Sequence, residues 1–208
     1  IGATAVLSKK IISNTIKNKY RIKELKLNNT LFSEINKFPN TFQPKYKPLL
    51  NEEALITFEK DYGIKLSHYN LLVNTNGLAK LINKKGRIRY SCNIDFYSSG
   101  WVILKAILPI YNGYIIDENN PQLTISNSNA DFNIRYDIKN LNKFKKNDIA
   151  MFPENSGAIA IGKESIHLSK FLINTDSIQL EGHSVMMGYL DQKQNKNSFA
   201  NNSLIVSI

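Results

Sequence analysis

Residues 101–110 read "WVILKAILPI", with Lys105 the only charge in the run. A strand with one wet face alternates apolar and polar residues, and this run does not. Near-continuous apolar character is expected of a strand buried on both faces. The run just before it, "RIRYSCNIDF" (87–96), behaves differently. There Ile88, Tyr90, Cys92, Ile94 and Phe96 alternate with polar neighbours, the pattern of a half-buried strand.

The same texture continues outward. "HYNLLVNTNG" (68–77), "DFNIRYDI" (131–138), "DIAMFP" (148–153), "AIAIG" (158–162), "DSIQLEG" (176–182) and "SVMMGYLD" (184–191) are short, rich in branched and aromatic residues, and separated by Gly, Asn, Asp or Ser. Asn-Gly pairs at 76–77 and 112–113 signal turns. No run with helical period and convincing length stands out between 55 and 208. The expected fold is therefore all-β, a jelly-roll-type β-sandwich over 51–208. The polar stretch 191–203 is expected to be a loop before a last strand, "LIVSI".

Residues 1–50 differ in charge. They hold ten Lys and Arg against Glu24 and Glu34, leaving +8 there and +2 in the rest of a chain whose net charge is +10. Loosely helical spacing from Val6 to Ile22, and prolines at 39, 44 and 48, describe a basic, partly helical arm that ends in an extended linker. Lys9, Lys10, Lys17, Lys19, Arg21, Lys23 and Lys26, with Tyr20 and Phe32 among them, are the candidates for contact with nucleic acid or a partner. A solvated lysine-rich face accounts for the same residues. The chain begins at Ile1, which suggests a fragment, a processed product or a renumbered chain. No run of 18 apolar residues is present, so no membrane span is expected.

Chemistry has few places to reside. "LEGHSVMMGYLDQ" (180–192) sets His183 beside Met186 and Met187, but neither His68 nor His167 lies in a spacing that completes a metal site. A cupin-like iron oxygenase would need a His where Asn93 stands, two residues before Asp95. There is no GxSxG, GxGxxG or GxxxxGK[ST]. In "SGAIAIGKES" (156–165), Glu164 follows Lys163 where a phosphate loop needs Ser or Thr. Cys92 is the only cysteine, which excludes an internal disulfide, and its surroundings read as core. No catalytic residue, cofactor or metal is expected, and the chain reads as non-enzymatic.

Four stretches carry a family resemblance. "KGRIRYSCNIDF" (85–96), the turn in "ILPIYNGYII" (107–116), "FKKNDIAMF" (144–152) with Asn147 where Gly is usual, and "GHSVMMGYLD" (182–191) follow one another as in a C1q/TNF-like jelly roll. The resemblance covers roughly 55–191. It implies a recognition head or a virion or cell-surface component, assembled as a homotrimer, with Trp101, Met186, Met187 and Tyr189 at the subunit interface. Other virion or surface proteins are implied as further partners. A small viral coat protein whose arm, 1–50, touches nucleic acid and a cupin-like enzyme are the alternatives.

Overall fold

In the computed structural model of the chain, residues 5–8, 13–21, 23–26, 28–38, 41, 43, 46–59, 62–96, 98 and 100–208 are described. The chain divides into two units, Ile1–Lys47 and Pro48–Ile208. The first contains β1 (Ala5–Ser8), α1 (Asn14–Tyr20), β2 (Lys23–Lys26) and α2 (Asn29–Ile35). β1 and β2 pair in parallel, Ala5 opposite Lys23. Parallel neighbours need a crossover, and α1 supplies it.

The second unit opens with a hairpin, β3 (Glu53–Glu59) and β4 (Tyr62–Ser67). The chain then enters α3 (His68–Ile82), the stretch expected to be strand with a turn at 76–77. Its start is set locally. The Ser67 hydroxyl accepts from the Asn70 amide, and the Asn70 side chain accepts from the Ser67 amide, each at 3.0 Å, a reciprocal cap. Leu71, Leu78 and Ile82 fall on one buried face. Gly77 lies inside this helix, not at a turn, because a Cβ there would stand 2.3 Å from Cγ2 of Ile166.

β5 (Arg89–Asn93) is the strand its alternation predicts. The run "WVILKAILPI" is not a strand. Val102–Ile107 forms a π-helical turn that continues into α4 (Leu108–Asn112). Ile103, Leu104 and Leu108 are fully buried while Ile110 is 83% exposed, so the apolar run is sorted by helical faces after all. The hydroxyl of Tyr90 on β5 donates to the Leu104 carbonyl at 2.7 Å and fixes helix against strand. Gly113, in the left-handed region at φ 70°, ends α4.

β6 (Ile115–Ile116), β7 (Leu123–Ser126), β8 (Phe132–Arg135), β9 (Asp148–Phe152), β10 (Gly157–Ile161) and β11 (Glu164–Ser165) complete a seven-stranded sheet with β5. Its order is β11-β10-β9-β8-β7-β5-β6. The pairs β5–β6, β5–β7, β7–β8 and β8–β9 are parallel; β9–β10 and β10–β11 are antiparallel. β12 (Ser169–Ile173), β13 (Ser177–Gly182), β15 (Phe199–Ala200) and β16 (Ser203–Ser207) form an antiparallel four-stranded sheet. β14 (Gly188–Tyr189) adds to β4 beside β3. α5 (Gln192–Ser198) occupies the stretch expected to be loop.

The expected all-β jelly-roll sandwich is therefore corrected to a mixed α/β fold. A jelly roll is an antiparallel double sheet. Here five strands run parallel, and the crossover from β5 to β6 is helical, as parallel pairing requires. No helix among the described residues is long and apolar enough to cross a membrane.

Candidate functional site

In open α/β sheets ligands bind beyond the carboxyl ends of the strands, where neighbouring connections leave in opposite directions. That point lies between β5 and β7. From β5 the chain crosses to β6 on one side; from β7 it passes to β8 on the other. A cleft of about 340 Å³ opens there, lined by Glu59, Ile94, Asp95, Ser98, Asn127 and Tyr136. Each lining residue but one lies in the segment that follows a strand of the parallel sheet. Ile94, Asp95 and Ser98 follow β5, Asn127 follows β7 and Tyr136 follows β8, while Glu59 ends β3 of the hairpin.

The lining is ordered by short bonds. The hydroxyls of Ser98 and Tyr136 lie 2.6 Å apart, tying the ends of β5 and β8 together. The Ser98 amide donates to the Asp95 carbonyl and the Trp101 amide to the Ser98 carbonyl, each at 3.0 Å. Arg135 donates to the Asn127 carbonyl at 2.6 Å and places its guanidinium 3.3 Å from the Asp148 carboxylate. Burial pushes the Tyr136 hydroxyl above its ordinary range; the Ser98 bond opposes this, and the Glu59 and Asp95 charges add to it. Tyr136 therefore stays a neutral donor at physiological pH. The described residues of its lining include two carboxylates and no cation, and these favour a neutral or positively charged portion of a ligand over a phosphate.

A second polar cluster lies beyond the end of β9. Glu154 is 1% exposed, and its Oε1 accepts from the hydroxyls of Tyr62 at 3.2 Å and Tyr189 at 3.1 Å. The two tyrosine rings meet edge to face, 5.3 Å between centres. Burial raises the Glu154 carboxyl above the ordinary range, only partly offset by its hydrogen bonds. Burial and the Glu154 charge likewise push both tyrosines well above theirs.

The residues singled out in the sequence are placed elsewhere. Tyr189 and Met186 are buried within the chain, Met187 is 45% exposed, and half-buried Trp101 packs edge to face with Phe96 at 4.8 Å. In the first unit Lys17 pairs with Glu24 at 3.0 Å, and Lys19, Arg21, Lys23 and Lys26 are exposed; Lys9 and Lys10 lie outside the described residues. His183 sits in an exposed turn against the ring of Tyr69, 5.4 Å between centres. Among the described residues no three His, Cys, Asp or Glu are grouped to hold a metal ion. Sequence reasoning assigned no role to Glu154, touched Asp95 only as the neighbour of a missing metal ligand at Asn93, and passed over Glu59, Ser98, Asn127 and Tyr136. The available signal was a position at or just beyond the end of a strand.

No protein-family model matches the sequence, and no curated protein is significantly similar to it. Solved structures are similar in fold. Apo MatB from Rhodopseudomonas palustris superposes with a TM-score of 0.76 at 12% identity, over 99% of this chain and 56% of that one. The o-succinylbenzoate CoA synthetase of Bacillus subtilis, bound to its product analogue, gives 0.70 at 10%, over 97% and 55%. McyG A-PCP in complex with phenylalanyl-adenylate gives 0.67 at 12%, over 92% and 44%. This chain spans about half the length of these structures. The chain thus shares its fold with these structures, an o-succinylbenzoate CoA synthetase among them. This likeness overturns the C1q/TNF jelly-roll resemblance, and with it the virion, capsid and non-enzymatic readings built on that sandwich. The cupin-like alternative falls with the same correction of fold.

Proposed function

We propose that the chain is part of an adenylate-forming enzyme, which activates a carboxylic acid with ATP. A carboxylate oxygen attacks the α-phosphorus, the bond from that phosphorus to the bridging oxygen breaks, and pyrophosphate leaves with the electron pair. The product is an acyl-adenylate. The observation that carries this reading is fold likeness over nearly the whole chain to structures that include one holding phenylalanyl-adenylate and one holding ATP.

On this reading the carboxyl-end cleft seats the organic part of the acid. Tyr136 and Ser98 offer hydroxyl donors, and Asn127 offers an amide that both donates and accepts. Asp95 and Glu59 favour an acid that carries a neutral or cationic group at its far end. The phosphates need partners outside this lining, since its carboxylates repel them.

Exchange of labelled pyrophosphate into ATP, run on the full chain with a panel of carboxylic acids, tests the reading. Acid-dependent exchange is expected, and Tyr136→Phe and Asp95→Asn should weaken it chiefly through KM for the acid. A folded protein that neither binds ATP by calorimetry nor supports exchange with any acid would overturn it.

A further inference from the structure

The Glu154 carboxyl group does not line the cleft, yet the cleft's geometry leads to it. Glu59, the last residue of β3, lines the cleft and lies directly opposite Tyr62, the first residue of β4, in the antiparallel register of the hairpin. Opposite residues in such a register present their side chains on the same face. The Tyr62 hydroxyl donates to Glu154 Oε1 at 3.2 Å. Tyr189, whose strand pairs with β4 at Ile64, donates to the same oxygen at 3.1 Å. The Glu154 carbonyl accepts from the Met186 amide at 2.8 Å, so the loop leading to β14 is held from the same residue.

One side chain at the end of β9 thus grips two of the three strands of the β14-β4-β3 sheet. It does so with a carboxyl group where an apolar residue would fill the space at lower desolvation cost. Among the described residues the groups facing it are a backbone amide, two hydroxyls and, at longer range, the Glu59 carboxylate, with no cation among them. Such an arrangement gives little stability and much registration, since each hydroxyl must meet one particular oxygen.

We propose that Glu154 is a positioning residue for the carboxyl-end cleft: through Tyr62 it fixes how the Glu59 end of the β3–β4 hairpin meets the parallel sheet. The proposal rests on the reading of that cleft as the binding site. Burial raises the Glu154 carboxyl group above its ordinary range, while the two hydroxyl bonds oppose that shift and favour its charged form.

Amide hydrogen exchange on the full chain without ligand tests this. Glu154→Ala and Tyr62→Phe should speed exchange at Glu59, Tyr62 and Gly63 by about tenfold, leaving α3 unchanged, as a local opening does. Glu154→Gln keeps an acceptor oxygen for both hydroxyls and should stay close to the unmodified chain. The inference is overturned if hairpin exchange is unaltered in Glu154→Ala and Tyr62→Phe. It is also overturned if α3 speeds up equally, or if Glu154→Gln opens the hairpin as far as Glu154→Ala. These measurements need no turnover. An inactive protein whose hairpin responds as described would sink the proposed function alone, while an active one whose hairpin does not respond would sink this inference alone.

Discussion

The side-chain amide of Asn74 pairs with the backbone of Ala158 in both directions. Its Nδ2 donates to the Ala158 carbonyl at 2.8 Å, and its Oδ1 accepts from the Ala158 amide at 3.2 Å. A helix side chain thereby takes the place of a neighbouring strand at the start of β10. The same Nδ2 also donates to the Asn155 carbonyl at 2.8 Å. One turn earlier on α3, Asn70 donates to the carbonyls of His183 and Val185, each at 2.8 Å. Two asparagines four residues apart thus hold the two loops that flank Glu154.

Asn74 is fully buried, so its removal strands buried backbone groups. Asn74→Leu keeps the volume and removes every bond. It should cost at least about 2 kcal/mol, since each orphaned buried group costs about 1–3 kcal/mol. Urea unfolding would show a lower midpoint with an unchanged slope. A midpoint equal to that of the unmodified chain would mean that water replaces the amide.

Gly77→Ala sets two effects against each other. Alanine in a helix interior is favoured over glycine by about 1 kcal/mol. A Cβ at 77, however, would stand 2.3 Å from Ile166 Cγ2 and 3.1 Å from the His167 amide nitrogen. Overpacking of that kind costs about 1–3 kcal/mol, so the net change should be a lower Tm. Thermal unfolding followed by circular dichroism decides it. A Tm at or above that of the unmodified chain would show that the turn carrying Ile166 gives way freely.

Cys92 is 1% exposed on β5, and burial pushes its thiol up to about 11 despite the opposing influence of Tyr90 and Lys105. The thiolate is the reactive form, so the folded chain should resist alkylation at neutral pH and react only as fast as it opens. The raised value also has a stability consequence. The neutral thiol is favoured in the fold, so its contribution is complete below the ordinary value of 9.0 and is lost as pH rises through about 11. Stoichiometric labelling of folded protein within seconds would contradict this placement.

Local chemistry determined a good deal. The alternation around Tyr90 and Cys92 marks β5, and the branched runs at 148–152, 157–161, 177–182 and 203–207 mark β9, β10, β13 and β16. These strands are legible because period and branching act within a few residues. The reciprocal cap of Ser67 and Asn70 was equally local, but the Asn76-Gly77 pair masked the helix behind it. In a sequence the glycine reads as a turn; only Ile166, some ninety residues on, shows that it serves close packing.

The run at 101–110 failed for a related reason. Continuous apolar character is shared by a strand covered on both faces and by a helix buried along most of its girth. Only the helix's seat against β5, through Tyr90 and Leu104, decides between them. That one choice turned an expected sandwich into a parallel sheet, and the site followed. Glu59, Asp95, Ser98, Asn127 and Tyr136 come from four separate segments and share no motif. The last four meet because parallel strands bring their carboxyl ends to one edge, and Glu59 joins them from the β3–β4 hairpin, a consequence of pairing across the chain that no local pattern encodes.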